Sequence, residues 1–320
     1  MDGYEGARGN HERGATRRAG GGIKMTMMRG AGKAFGAVSI VNALAGGKGA
    51  TVGVALETDA EVELEEARGN WRVEINGERA ESRLAVEIVA SVLGSCGESP
   101  REYSGTISTK SDIPIGVGLK SSSSSSAAVA LATSAALGKE LSMRRVMLCS
   151  AEASLKAGVS VTGAFDDVAG CLLGGLNLTD NSRRRVVRST PLRRSFKVLI
   201  MVPESSSERA RVDLESVRKF SSVATAAYEM TLRGDVWTAM TMNGLLYSTI
   251  LGYDPGPAMG ALKAGALGAG LSGRGPAVAA VFDKRNREGI GKLLDSWHAD
   301  GGRVIVTETN NRRGERSRIG

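Results

Sequence analysis

Between residues 51 and 75 the stretches "TVGVALET", "AEVELEEA" and "WRVEI" alternate apolar and polar positions, a period of two that predicts strands. Asn76-Gly77, directly after them, is a favoured tight-turn pair. Residues 82–94 change to helical spacing, "YSGTISTKSDIPIG" returns to an extended pattern, and small-residue helices are predicted over 123–138 and 142–157. "LNLTDNSRRRVVRST" reads as a hairpin turning at Asp180 and Asn181, and "FKVLIMVP" as a continuous apolar strand stopped by Pro203. Helices dominate 209–268, "GAGLSGRGPAVAAVFD" leads into a strand, 286–299 reads as a helix, and "RVIVTET" closes with a strand. The order predicts an α+β or mixed α/β chain with a seam near 188–195. No repeat of fixed period is visible.

Composition narrows this picture. With 320 residues, 42% of them hydrophobic, the chain can bury a sizeable core in one large or two modest domains. Aromatic residues are only 4%, so the core must be built from small aliphatic side chains packed closely. Cys96, Cys149 and Cys171 are an odd set without CxxC spacing, as expected of reduced thiols in a cytoplasmic protein. No long apolar run and no secretory leader are found, so neither a membrane span nor export is expected.

The net charge of +8 invites a nucleic-acid partner, but much of the excess is local. A glycine-rich leader over 1–24 and the closing "NNRRGERSRIG" lack apolar periodicity and are expected to be disordered. Arg183, Arg184, Arg185, Arg188, Arg193 and Arg194 cluster at the seam without interleaved aromatics, which favours a solvated hairpin face over a stacking surface for bases.

Three motifs can carry chemistry. In "IPIGVGLKSSSSSS" a strand leads through Pro114, Gly116 and Gly118 to Lys120 and six serines that open an alanine-rich helix. Glycines permit close backbone approach, and a helix N-terminus with hydroxyls is an anion cradle. Lys120 there opposes the helix dipole unless an anion lies between them. The spacing excludes a Walker A loop, and a linker would not run straight from a strand into a strong helix former.

In "VTGAFDDVAGCLLGG" the adjacent Asp166 and Asp167 could be an exposed helix cap, yet their apolar flanks predict that one carboxylate is partly buried. In "GAGLSGRGP" Gly268, Gly270 and Gly273 spell GxGxxG, with a helix before and a strand after, the wrong order for a dinucleotide site. A second glycine loop over a ligand is the reading that remains. The two histidines are His11 in the leader and His298 near the C-terminus, so histidine catalysis is disfavoured and a carboxylate and lysine mechanism is left.

In this order the motifs resemble the GHMP kinase superfamily, which includes galactokinase, homoserine kinase, mevalonate kinase and phosphomevalonate kinase. "GAVSIVNALAGGKGATVGVAL", "IPIGVGLKSSS", "SVTGAFDD" and "LSGRGPAVAAV" are similar above all to its archaeal-type shikimate kinases, over about residues 29–307. The resemblance implies an α+β fold of two domains. The first is like domain 2 of ribosomal protein S5 and expected over 25–192, and the second is ferredoxin-like over 193–308, leaving a basic tail at 309–320.

It further implies transfer of the ATP γ-phosphoryl group to the 3-hydroxyl of shikimate, with Mg²⁺. Pro114, Ile115, Gly116, Val117, Gly118, Leu119, Lys120, Ser121, Ser122, Ser123 and Ser124 would wrap the ATP phosphates, with Ser122 and Glu152 near the metal ion. Asp167 would orient or deprotonate the acceptor hydroxyl, and Lys33 would stabilise the reacting oxygens. Ser39, Asn42, Asp166, Ser272, Gly273, Arg274 and Gly275 would shape the acceptor pocket, Arg274 as a candidate for its carboxylate. Homoserine kinase is the alternative inside the superfamily. Outside it stand a nicotinamide oxidoreductase and a basic nucleic-acid-binding protein.

Overall fold

The computed structural model describes residues 27–204 and 213–319; the leader expected over 1–24 lies outside them. The chain opens with two long antiparallel strands, β1 (Met28–Val41) and β2 (Lys48–Glu65), where the sequence pattern had suggested two separate strands in place of β2. β3 (Trp71–Ile75) and the short β4 (Glu78–Arg79) follow, then α1 (Arg83–Ser95) and β5 (Ser104–Ser111). Next come α2 (Ser121–Ala136), α3 (Met143–Lys156) and α4 (Phe165–Leu173), and the hairpin β6 (Leu176–Asp180) and β7 (Arg185–Thr190). These strands form one sheet in the order β1-β2-β5-β3-β4, with β6 pairing the first half of β2 and β5 the second half.

β8 (Lys197–Val202) begins a second sheet. Helices α5 (Leu214–Arg218), α6 (Ser221–Arg233), α7 (Val236–Leu251) and α8 (Gly256–Lys263) follow it, then β9 (Gly268–Leu271), β10 (Val278–Phe282), α9 (Arg287–Ala299) and β11 (Arg303–Glu308). Its order is β11-β8-β10-β9, antiparallel throughout. The arginine-rich end, expected to be disordered, instead forms β12 (Glu315–Ile319) and pairs along β1 at the edge of the first sheet. Ladder bonds to β1 supply what apolar periodicity could not.

Three apolar clusters follow from these layers. One fills the space between the first sheet and α1–α4. Another joins the two sheets through Val38, Ile40, Val52, Val198, Ile200, Ala279 and Val281. The last lies between the second sheet and α7–α9, around Tyr247, Phe282 and Trp297.

Small residues make the first layer possible. α2 is buried on nearly every side, which its "AAVALATSAA" tolerates because no face carries a large polar group. It packs on Gly30 and Gly32 of β1, where a Cβ would collide with the carbonyl oxygens of Ala132 and Ala128. A register shift between Phe35 and Gly36 then swaps the alternation of β1. Before the shift Gly32 and Ala34 face α2; after it Ala37 and Ser39 face the helices while Val38 and Ile40 enter the core between the sheets.

Candidate active site

Two helix starts meet beneath the junction of the sheets. α2 begins at Lys120 and α4 at Ala164, both non-glycine residues in the left-handed region, at φ 68° and 50°. Such backbone costs on the order of 1–3 kcal/mol and persists where the surroundings impose it. Neither helix has a side-chain cap, so their first N–H groups remain available to an anion. All six serines belong to α2, so the glycine loop ends at Lys120. Between the helix starts lies a cavity of about 200 Å³, bordered by Gly118, Lys120, Ser121, Ser122, Ser123, Asn42, Asp166, Asp167, Gly273, Arg274 and Gly275.

Lys120 organises this cavity. Its Nζ lies 2.8 Å from Asp167 Oδ1 and donates to Ser39 Oγ at 2.8 Å, with only 5% of its side chain exposed. The lysine that seemed to oppose its helix dipole without compensation is therefore neutralised by a carboxylate from α4. Asp167 keeps 23% exposure and opens to the cavity.

Asp166 is buried at 5% and sits against the backbone of Gly49, where a Cβ would strike its carboxylate. Its Oδ1 accepts from Asn181 Nδ2 at 2.7 Å. Burial first, and then the charge of Asp167, push the pKa of its carboxyl up to about 6, against the pull of Lys120 and Asn181.

The rest of the site is a knot of loops. Ser272 Oγ donates to the Gly118 carbonyl at 3.0 Å, and Gly273 N donates to Ser39 Oγ at 3.0 Å. Asn42 Nδ2 donates to the Gly273 carbonyl at 2.8 Å. Gly118, at φ 91°, has no room for a Cβ beside the Ser272 carbonyl. The loop after β9 thus closes on the loop before α2. Gly268 and Gly270 belong to strand β9 itself, and strand, turn and strand leave no helix N-terminus for a pyrophosphate.

Lys33 and Glu152, and part of the glycine loop, lie away from the cavity. Lys33 stands on β1 before the register shift, on the face opposite Ser39 and about six residues or ~20 Å up the strand. There its amine pairs with Glu57 and Asp59, and those contacts raise its basicity. Glu152 is exposed on α3, where it pairs with Lys156 at 3.2 Å and lies beside Ser91; Ser154 of the same helix borders the cavity instead. In the glycine loop, Val117 and Leu119 point into the core, Ile115 is 70% exposed, and Ser124 is fully buried with no partner for its Oγ. Pro114 and Gly116 also lie outside the cavity lining.

Some residues of the site had no sequence motif. Asn243 of α7 accepts from Asn42 N at 2.9 Å, and Tyr247, one turn on, accepts from Ala45 N at 3.0 Å. Burial pushes the Tyr247 hydroxyl up to about 12. A lone Asn inside the apolar "AMTMNGLLY" was the available signal. Val159, Ser160, Val161 and Thr162, between α3 and α4, form a further wall. Among the described residues no trio of His, Cys, Asp or Glu is placed to hold a metal ion, and no helix is long and apolar enough to cross a membrane. In the arginine cluster Arg183 pairs with Asp180, Arg194 with Asp283, and Arg188 donates to the Leu232 carbonyl.

Known proteins resemble this chain in sequence and in fold. Residues 83–175 match the GHMP kinases N terminal domain. A shikimate kinase of Methanothrix thermoacetophila is 42% identical, covering 89% of this chain and 95% of the relative. That of Pyrococcus furiosus is 35% identical over 88% of this chain and all of its own length. Among solved structures, homoserine kinase from Cytophaga hutchinsonii superposes with a TM-score of 0.68 at 19% identity, covering 93% of this chain and 99% of that one. The mevalonate kinase of Methanococcus jannaschii gives 0.66 at 15%, covering 90% and 99%. These distant structures share the fold, while the archaeal relatives share the sequence nearly end to end: the chain belongs to the shikimate kinase family of GHMP kinases.

Proposed function

We propose that this protein is an ATP-dependent shikimate kinase, which transfers the γ-phosphoryl group of ATP to the 3-hydroxyl of shikimate and releases ADP. The observation that carries the reading is the Lys120–Asp167 pair at the mouth of two uncapped helix starts, in a chain 42% identical to a shikimate kinase. Phosphoryl transfer asks for positioned charge rather than covalent chemistry, and this arrangement supplies it.

The N–H groups and hydroxyls of Ser121, Ser122 and Ser123 receive the phosphates, with the dipole of α2 behind them. Mg²⁺, a hard ion that keeps water and phosphate ligands, needs few protein oxygens, and Ser122 Oγ on the cavity wall fits that demand. When bound, it neutralises charge on the transferring phosphate. Asp167 accepts the acceptor hydroxyl's proton or holds that hydroxyl in line. Lys120, anchored by Ser39, takes the place expected for Lys33: it keeps Asp167 aimed and faces the developing negative charge. Arg274, on the cavity wall, meets the acceptor's carboxylate.

ADP release measured with shikimate, homoserine, mevalonate and galactose in turn, with and without Mg²⁺, tests the reading. Magnesium-dependent turnover with shikimate alone is expected. Turnover confined to homoserine, or none with any acceptor, overturns it.

A further inference from the structure

The turn between β6 and β7 reaches the site from behind. Asn181 Nδ2 donates to Asp166 Oδ1 at 2.7 Å, while its Oδ1 accepts from Thr179 Oγ1 at 2.8 Å, a hydroxyl that also lies 3.3 Å from the Gly49 carbonyl. All three residues are buried, Asn181 at 6% and Thr179 at 0%. Asn181 is itself held by its N–H, which donates to the Gly47 carbonyl at 2.8 Å. Thr51 Oγ1 of β2 donates to the backbone carbonyl of Asp166 at 3.2 Å. The first turn of α4, which has no side-chain cap and starts from a left-handed alanine, is thereby gripped at Asp166 from strand β2 and from the turn after β6.

We propose that Asn181, with its amide oriented by Thr179, is a positioning residue that fixes Asp166 and the first turn of α4, and so sets how Asp167 meets Lys120. This rests on the kinase reading for its effect on turnover but not for its effect on Asp166. An amide that can only donate here requires an acceptor, so it favours the ionised carboxylate. The charged and titratable groups around Asp166 are Asp167 on α4, Lys120 at the head of α2, the Cys171 thiol, the Asp180–Arg183 pair of the hairpin, Lys48 on β2 and the Tyr247 hydroxyl of α7. Asp167 opposes ionisation of Asp166, and Lys120 and Asn181 favour it.

The test uses Asn181→Leu and the milder Thr179→Val in the full chain, with two readouts. The first is the carbon-13 NMR titration of the Asp166 carboxyl, which needs no turnover. Its midpoint is expected to rise by about 1 pH unit in Asn181→Leu and by less in Thr179→Val, since a hydrogen bond to the charged form is lost. The second is steady-state kinetics, where kcat falls about tenfold or more while KM for ATP stays within about twofold. An unmoved midpoint, or a kcat equal to the parent's, overturns the proposal. If the parent enzyme fails to phosphorylate shikimate while the midpoint moves, the kinase reading fails and the hold of Asn181 on Asp166 stands.

Discussion

Asp166 and Asp167 are neighbours in sequence and opposites in environment. Asp167 faces the cavity and Lys120, whereas Asp166 is buried against Gly49 and Asn181. Asp167→Asn keeps the shape and removes the base of the proposed mechanism, so kcat is expected to fall about 10²–10⁴-fold with nucleotide binding retained, measured by turnover and calorimetry. Lys120→Met leaves the partly exposed Asp167 carboxylate, beside Asp166, without its cation, and a destabilisation of about 1–3 kcal/mol is expected in denaturant titration. Because folding raises the pKa of Asp166 from an ordinary 3.8 to about 6, the folded state binds the extra proton between those values. The relative stabilisation is complete below the unfolded value and is lost as pH rises through 6. Asp166→Asn should therefore gain on the parent in Tm from pH 4 to pH 7; parallel Tm profiles would falsify the burial argument.

At the scale of elements, close approach decides function. β1 accepts α2 only because Gly30 and Gly32 present bare backbone to Ala132 and Ala128, which positions Lys120 at the head of that helix. Gly32→Ala forces strand and helix apart, and a loss of about 1–3 kcal/mol with reduced kcat is expected. The glycine loop, the helix after it and the Asp pair were legible in sequence because glycines, serines and aspartates act within a few residues of themselves. The choice of lysine was not. Lys33 and Ser39 are both odd positions on β1, and only the register shift at Phe35 and Gly36 places them on opposite faces.

The whole molecule joins its sheets by long-range contacts. Asn42 reaches Asn243 and Gly273, each some 200 residues away or more, and β12 returns to β1 from the far end of the chain. Removing residues 315–320 bares the β1 edge, and a lower Tm with salt-insensitive self-association is expected, read by light scattering. An unchanged Tm would make β12 a passive appendage.

The glycine loop running into an uncapped helix, the carboxylate pair and the alternation of sheet and helix are all legible in the chain itself, since each is written in dihedral preference and short-range periodicity. That Lys120 rather than Lys33 faces Asp167, that Glu152 turns away, and that Asn181 and Asn243 enter the site follow from long-range packing alone. Those choices depend on which side chain from a distant segment satisfies a buried polar group, and local sequence carries no record of that partner.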